Sequence, residues 1–118
     1  MNAEQFVAAI RQYVAESAIV GTRKVLLAPP GRKPAQQLVE SSQWFNVLDS
    51  SDQEQVMQIA ASAVHDAMFS FMCVLDGARV IDDQRSEYHL LCVNPQNRAT
   101  VQLTARKKMI ACTSCTKR

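Results

Sequence analysis

SDQEQVMQIAASAVHDAMFSFMCVL, residues Ser51 to Leu75, is the longest uninterrupted helical pattern in the chain and its most apolar part. Val56, Ile59, Ala60, Ala63, Val64, Ala67, Met68, Phe71 and Leu75 recur at spacings of three and four, which predicts one apolar stripe along a helix. Ser51 with Glu54 three residues on has the form of a capping box. Asp52 adds negative charge in the first turn, where the helix dipole favours it. Asp76-Gly77 marks the far end, because glycine reaches the left-handed conformation that closes a helix without steric cost.

The two halves of this helix differ. Up to Asp66 the opposite face carries Gln55, Gln58, Ser62 and His65, as expected of a helix with its back in water. After Asp66, AMFSFMCVL is apolar on nearly every side, and Phe69 and Met72 fall away from the main stripe. Something must cover them. The hairpin and N-terminal segments are the internal candidates; a protein partner or a second copy of the chain is the alternative, since Met and Phe suit interface cores.

Around this helix the composition is that of a globular protein of one domain: 118 residues, 47% hydrophobic and 20% charged, with three Gly and four Pro. No uninterrupted apolar run approaches the roughly 18 residues that mark a membrane span. MNAEQFVAAIRQYVAES lacks the basic start and apolar block of a signal peptide, so a cytoplasmic setting without membrane attachment is expected. The net charge of +2 is unevenly spread. Residues 1–39 hold five basic and two acidic side chains, 40–87 two basic and nine acidic, and 88–118 six basic and none acidic.

The first helix is expected to begin after Asn2, with Gln5 three residues on, to carry Phe6, Ile10, Tyr13 and Val14 on its core face, and to end by Gly21. TRKVLLAPPGRKP, Thr22 to Pro34, reads as a loop, with Val25 to Ala28 a short strand or buried connection. Pro34 opens a second helix with a break near Ser41-Ser42, and Trp44-Phe45 reads as an aromatic plug against the long helix, or else as an exposed hot spot. Beyond Gly77 the period becomes strand-like. Arg79 to Ile81 and Glu87 to Val93 are expected to pair as a hairpin, and TVQL, Thr100 to Leu103, to add a third strand or a return helix. The expected fold is therefore α+β: two or three N-terminal helices, one of them long, followed by a small antiparallel sheet on the long helix. Residues 1–103 form the domain and 104–118 a basic terminal element.

Enzyme signatures are missing. There is no GxSxG, no phosphate-loop spacing around Gly31, and no cysteine with a credible histidine partner. His65 and Asp66 are adjacent, so on a helix they point about 100° apart and cannot pair; His89 has no recognisable partner. Cys73 and Cys92 lie in apolar patterns and read as buried small hydrophobes, while Cys112 and Cys115 form one CxxC without the second pair that a zinc site needs. No cofactor and no metal are expected. Asp76, Asp82, Asp83 and Glu87 read as solvated turn carboxylates whose charge suits docking of a basic protein. Arg106, Lys107 and Lys108 form the alternative, a nucleic-acid contact, although no aromatic residue interleaves them.

The layout from Trp44 to Leu103, with a short helix, a long capped helix, VLDGARVIDD and YHLLCVNPQ, resembles small cytosolic proteins of bacteria, some of them similar to immunity partners of secreted toxins. What the resemblance implies is a non-enzymatic protein that inhibits by occupying a toxin's active surface. The reading as a whole is an interaction protein with one protein partner, using Asp76, Asp82, Asp83 and Glu87 together with Phe69 and Met72; a homodimer is the other use of the apolar pair.

Overall fold

Helices precede one small hairpin in a computed structural model that describes residues 1–104. The order is α1 (Ala3–Ile10), a π-helical stretch (Arg11–Glu16), α2 (Ser17–Leu27), α3 (Gln36–Val47), α4 (Ser50–Leu75), β1 (Leu91–Val93) and β2 (Thr100–Gln102). Helices followed by a two-stranded antiparallel sheet make the class α+β, as the periodicities predict. Arg106, Lys107, Lys108, Cys112 and Cys115 lie outside the described residues. The chain forms two compact units, Gln12–His65 and, separately, Met1–Arg11 with the residues from Asp66 onward.

In the unit Gln12–His65, helix continues from the π-helical stretch through Gly21 to Leu27, so Val25 to Ala28 is not a strand. A single glycine costs a helix only about 1 kcal/mol, which its neighbours outweigh. The stop is Pro29: its ring excludes the preceding residue from the helical region, and Ala28 sits at φ −151°, ψ 109°. The last carbonyls of α2 are met by Asn46 of α3, whose Nδ2 donates to Leu26 O (3.3 Å) and Leu27 O (3.1 Å).

The break expected near Ser41-Ser42 is absent, and α3 runs unbroken from Gln36 to Val47. Ser42 is buried and its Oγ accepts from Asn46 Nδ2 at 3.2 Å, so the hydroxyl is satisfied without leaving the helix. Phe45 is fully buried, the largest such side chain among the described residues. Asp49, not Ser51, caps α4: its Oδ1 accepts from Asp52 N–H at 2.8 Å. Gln53 Nε2 turns back to Phe45 O (3.0 Å), which ties the end of α3 to the start of α4.

The apolar stripe of α4 is also turned from its expected position. Met57 is the buried residue of its first half, flanked by half-buried Val56, Ala60, Ala61 and Val64, while Ile59 is 62% exposed and Ala63 faces outward. By length and composition α4 is apolar enough to cross a membrane, the one such helix among the described residues.

In the other unit, Asn2 and Gln5 form the expected capping box of α1, Asn2 Oδ1 accepting from Gln5 N–H at 2.8 Å and Gln5 Oε1 from Asn2 N–H at 2.9 Å. Ala3, Phe6, Val7 and Ile10 of α1, together with Met68 and Phe69, pack against the buried Met72 and Cys73. The N-terminal helix is thus what covers the apolar end of α4. Ala67 and Phe71, placed on the core stripe by sequence spacing, are exposed. Gly77, at φ 72°, closes α4: its N–H bonds Val74 O at 3.1 Å and Ala78 N–H bonds Cys73 O at 2.9 Å, the paired bonds of a Schellman motif.

Arg79 to Ile81 is not a strand. Val80 and Ile81 are exposed, and the chain turns at once on Asp82, whose backbone and side-chain oxygens accept from Arg85 and Ser86 N–H. The hairpin forms one step later, with Leu91, Cys92 and Val93 opposite Gln102, Val101 and Thr100. TVQL is therefore the second strand, not the third. Its turn is closed by Asn94 N–H to Ala99 O and Arg98 N–H to Asn94 O, both 2.8 Å, with Arg98 at φ 60°.

Candidate functional site

The carboxylates singled out in the sequence belong to the segment after α4. Asp82 and Asp76 are half-buried; Asp83 and Glu87 are exposed. Hydrogen bonds from Ser86, first from its side chain and then from its backbone N–H at 2.9 Å, hold the Asp82 carboxyl below the usual carboxylate range. Glu87 lies 3.8 Å from His89 Nε2, and the Gln102 side-chain amide lies 3.0 Å from His89 Nδ1, so His89 has partners that its sequence position did not disclose. Among the described residues no three His, Cys, Asp or Glu side chains come together as a metal site. Phe69 and Met72 are not brought to these carboxylates as a surface: Met72 is 6% exposed and both belong to the core with α1.

In the unit Gln12–His65 the aromatic pair expected to act together, as a plug or as a hot spot, is split. Trp44 and Phe45, adjacent on α3, have opposite fates: Phe45 is the plug and Trp44 is 55% exposed. Val47, three residues from Trp44 and therefore on the same side of α3, is 81% exposed. A helix turn that buries Phe45 and Ser42 necessarily turns Trp44 and Val47 outward. The signal was the spacing of Phe45 from Ser42 and of Val47 from Trp44.

A second feature of this unit is an open groove of about 300 Å³ between α2 and α4. α2 contributes Ile19, Val20 and Leu27, and α4 contributes Met57 and Ala61. Arg23 reaches across to Glu54, Nη2 to Oε2 at 2.8 Å, so the residue expected to complete a capping box instead holds the two helices together. Lys24 lies beside it and makes no ion pair with a described residue. His65, half exposed, has its Nε2 3.9 Å from Glu16 Oε1, a spacing of 49 positions that no local pattern reveals.

Chemically these arrangements are suited to binding. Asp83 and Glu87 are exposed, Trp44 and Val47 are apolar and exposed, and the groove is apolar with Arg23, Lys24 and Glu54 on its rim. Compared with known family models, curated proteins and solved structures, the chain matches none.

Proposed function

We propose that the protein is a non-enzymatic interaction protein that binds one protein partner through the face of α3 centred on Trp44 and Val47. The observation that carries this reading is the exposure of that pair on a helix whose other side buries Ser42 and Phe45. Tryptophan is the residue most often found as an interface anchor, and its truncation in a hot spot costs about 2–4 kcal/mol. Asp76, Asp82, Asp83 and Glu87 supply negative charge that speeds encounter with a basic protein, which is how an immunity-like inhibitor of a toxin would meet its target in the cytoplasm. On this reading α4 does not span a membrane, and the apolar surface it leaves open, with only 11% of its apolar window buried, is available to a protein partner. His65 and Asp66 lie within its apolar part, and an aspartate at a bilayer centre costs about 2.5–3.5 kcal/mol.

The test is affinity capture of the tagged protein from its native lysate after nuclease treatment. The expected result is one stoichiometric protein that is retained by wild type and lost with Trp44→Ala or Val47→Asp. Charge reversal at Asp82, Asp83 and Glu87 should slow its association and flatten the salt dependence. A partner indifferent to all of these substitutions, or recovery of nucleic acid alone, overturns the reading.

A further inference from the structure

We propose that two copies of the chain pair through the open edge of β1, joining their hairpins antiparallel about a twofold axis at Cys92 into one four-stranded sheet. This contact is separate from the Trp44–Val47 face, and from Phe69 and Met72, which pack with α1.

The register of the hairpin decides which backbone groups face outward. Asn94 N–H bonds Ala99 O and Leu103 N–H bonds Leu90 O, both at 2.8 Å. In an antiparallel ladder, hydrogen-bonded pairs alternate with non-bonded ones. Cys92 and Val101, midway between those two pairs, are therefore a bonded pair as well, and Leu91 and Val93 are the non-bonded positions opposite Gln102 and Thr100. The N–H and C=O groups of Leu91 and Val93 thus point away from β2, and the sheet has no third strand among the described residues. They stand in the alternation that a further antiparallel strand requires.

The edge itself selects a second copy. Leu91 and Val93 are 52% and 42% exposed, and the chain carries no charge from Leu90 to Asn97. Apart from its shortness, β1 lacks the lysines, inward charges and prolines that keep an edge from pairing. A two-stranded hairpin is marginal alone and is strengthened by further strands, which a second hairpin supplies. About a twofold axis at Cys92, the backbone groups of Leu91 meet those of Val93 in the other copy, and the reverse. Their side chains then lie directly opposite, apolar against apolar, on both sides of the axis. Asn94 comes level with Leu90 of the other copy, which brings the turn holding Arg98 alongside the segment holding Glu87. Arg98 makes no ion pair with a described residue of its own chain. The β2 edge offers instead Thr100 and Gln102, whose side chains are turned to Arg98 O and His89. Finally, Cys92 faces its own copy at a non-bonded position, where Cα atoms stand about 4.5 Å apart, within the roughly 4.4–6.8 Å that a disulfide spans.

Sedimentation equilibrium of the reduced full-length protein should show monomer and dimer; the contact is small, so Kd is expected between about 1 μM and 1 mM. Val93→Pro removes an outward N–H and leaves the bonds between β1 and β2 in place, and should weaken association by roughly tenfold or more. Leu91→Glu or Val93→Lys alone should weaken it likewise. The two combined in one chain should restore it, because the axis sets position 91 against position 93. In protein carrying Cys112→Ser and Cys115→Ser, diamide takes up the two hydrogens that two thiols lose on forming a disulfide. It should link the chains through Cys92, and Cys92→Ser should abolish the product. A monomer at 1 mM overturns the proposal. So does a dimer indifferent to Val93→Pro, one that the paired charges do not restore, or one that Trp44→Ala dissolves. Loss of the dimer while Trp44-dependent capture persists removes this proposal alone.

Discussion

Asn46→Ala should expose how α2 is ended. The Asn46 side-chain amide has two N–H groups and four acceptors within reach: Ser42 O at 2.9 Å, Leu27 O at 3.1 Å, Ser42 Oγ at 3.2 Å and Leu26 O at 3.3 Å. Two of these acceptors are carbonyls at the end of α2, which the helix itself cannot satisfy. Each N–H contributes about 0.5–1.5 kcal/mol net, so the pair is worth about 1–3 kcal/mol. Asn46 is exposed, and water takes over part of the role, which places the expected loss at about 1–2 kcal/mol. Asn46→Asp should cost more than Ala, because a carboxylate has no donor and would face two carbonyl oxygens at the negative end of α2 and a third, Ser42 O, within α3. The measurement is equilibrium urea unfolding followed by circular dichroism, with the midpoint falling and the slope unchanged. Heating gives a parallel reading, roughly 4 °C per kcal/mol for a chain of this size. An Ala variant as stable as wild type, or an Asp variant no worse than Ala, would refute the reasoning.

Three other expectations follow from the same structure. Phe45→Ala should cost about 3–5 kcal/mol because it empties a fully buried site, whereas Trp44→Ala should cost much less; equal losses in urea unfolding would mean that Trp44 is packed. Gly21→Ala should stabilise by about 0.5–1 kcal/mol, since the position is helical with nothing within 4 Å of an added Cβ, while Gly77→Ala should destabilise by about 1 kcal/mol at its φ of 72°; thermal midpoints that move the same way would contradict this. Because its carboxyl is held below the usual range, Asp82 adds stability to its turn at pH values above about 3.9. That contribution is lost as pH falls through the lowered value. The Ser86 amide resonance should follow that transition and lose it in Asp82→Asn, and a midpoint at or above the ordinary carboxylate range would be the contrary result.

Much of the secondary structure was legible because its causes are local. The Asn2–Gln5 box, the glycine after Asp76 and the uninterrupted run to Leu75 each act within a few residues. The misplaced boundaries have one cause in common: a local signal met a stronger neighbour. Gly21 yielded to the helix around it and Pro29 ended it instead; Ser42 found an acceptor role inside α3; Asp49 stood two residues ahead of Ser51 and capped α4 first. Of the carboxylates read as solvated in the sequence, Asp83 and Glu87 are exposed whereas Asp76 and Asp82 are half-buried. Phe69 and Met72 looked equally available for a partner or a core, and α1 took them.

By itself the sequence determined the α+β class, the long helix and its glycine stop, and the concentration of carboxylates between Glu40 and Glu87, because periodicity, caps and charge are written in adjacent residues. Tertiary structure decided which face of α4 is buried. A segment apolar on most sides carries no preference of its own, and the partner that arrives, α1 at one end and the α2 and α3 unit at the other, makes the choice. The same holds for the split between Phe45 and Trp44, for the bond from Arg23 to Glu54, and for the α2–α4 groove. Each depends on residues distant in the chain, and their encounter follows from the packing of whole helices.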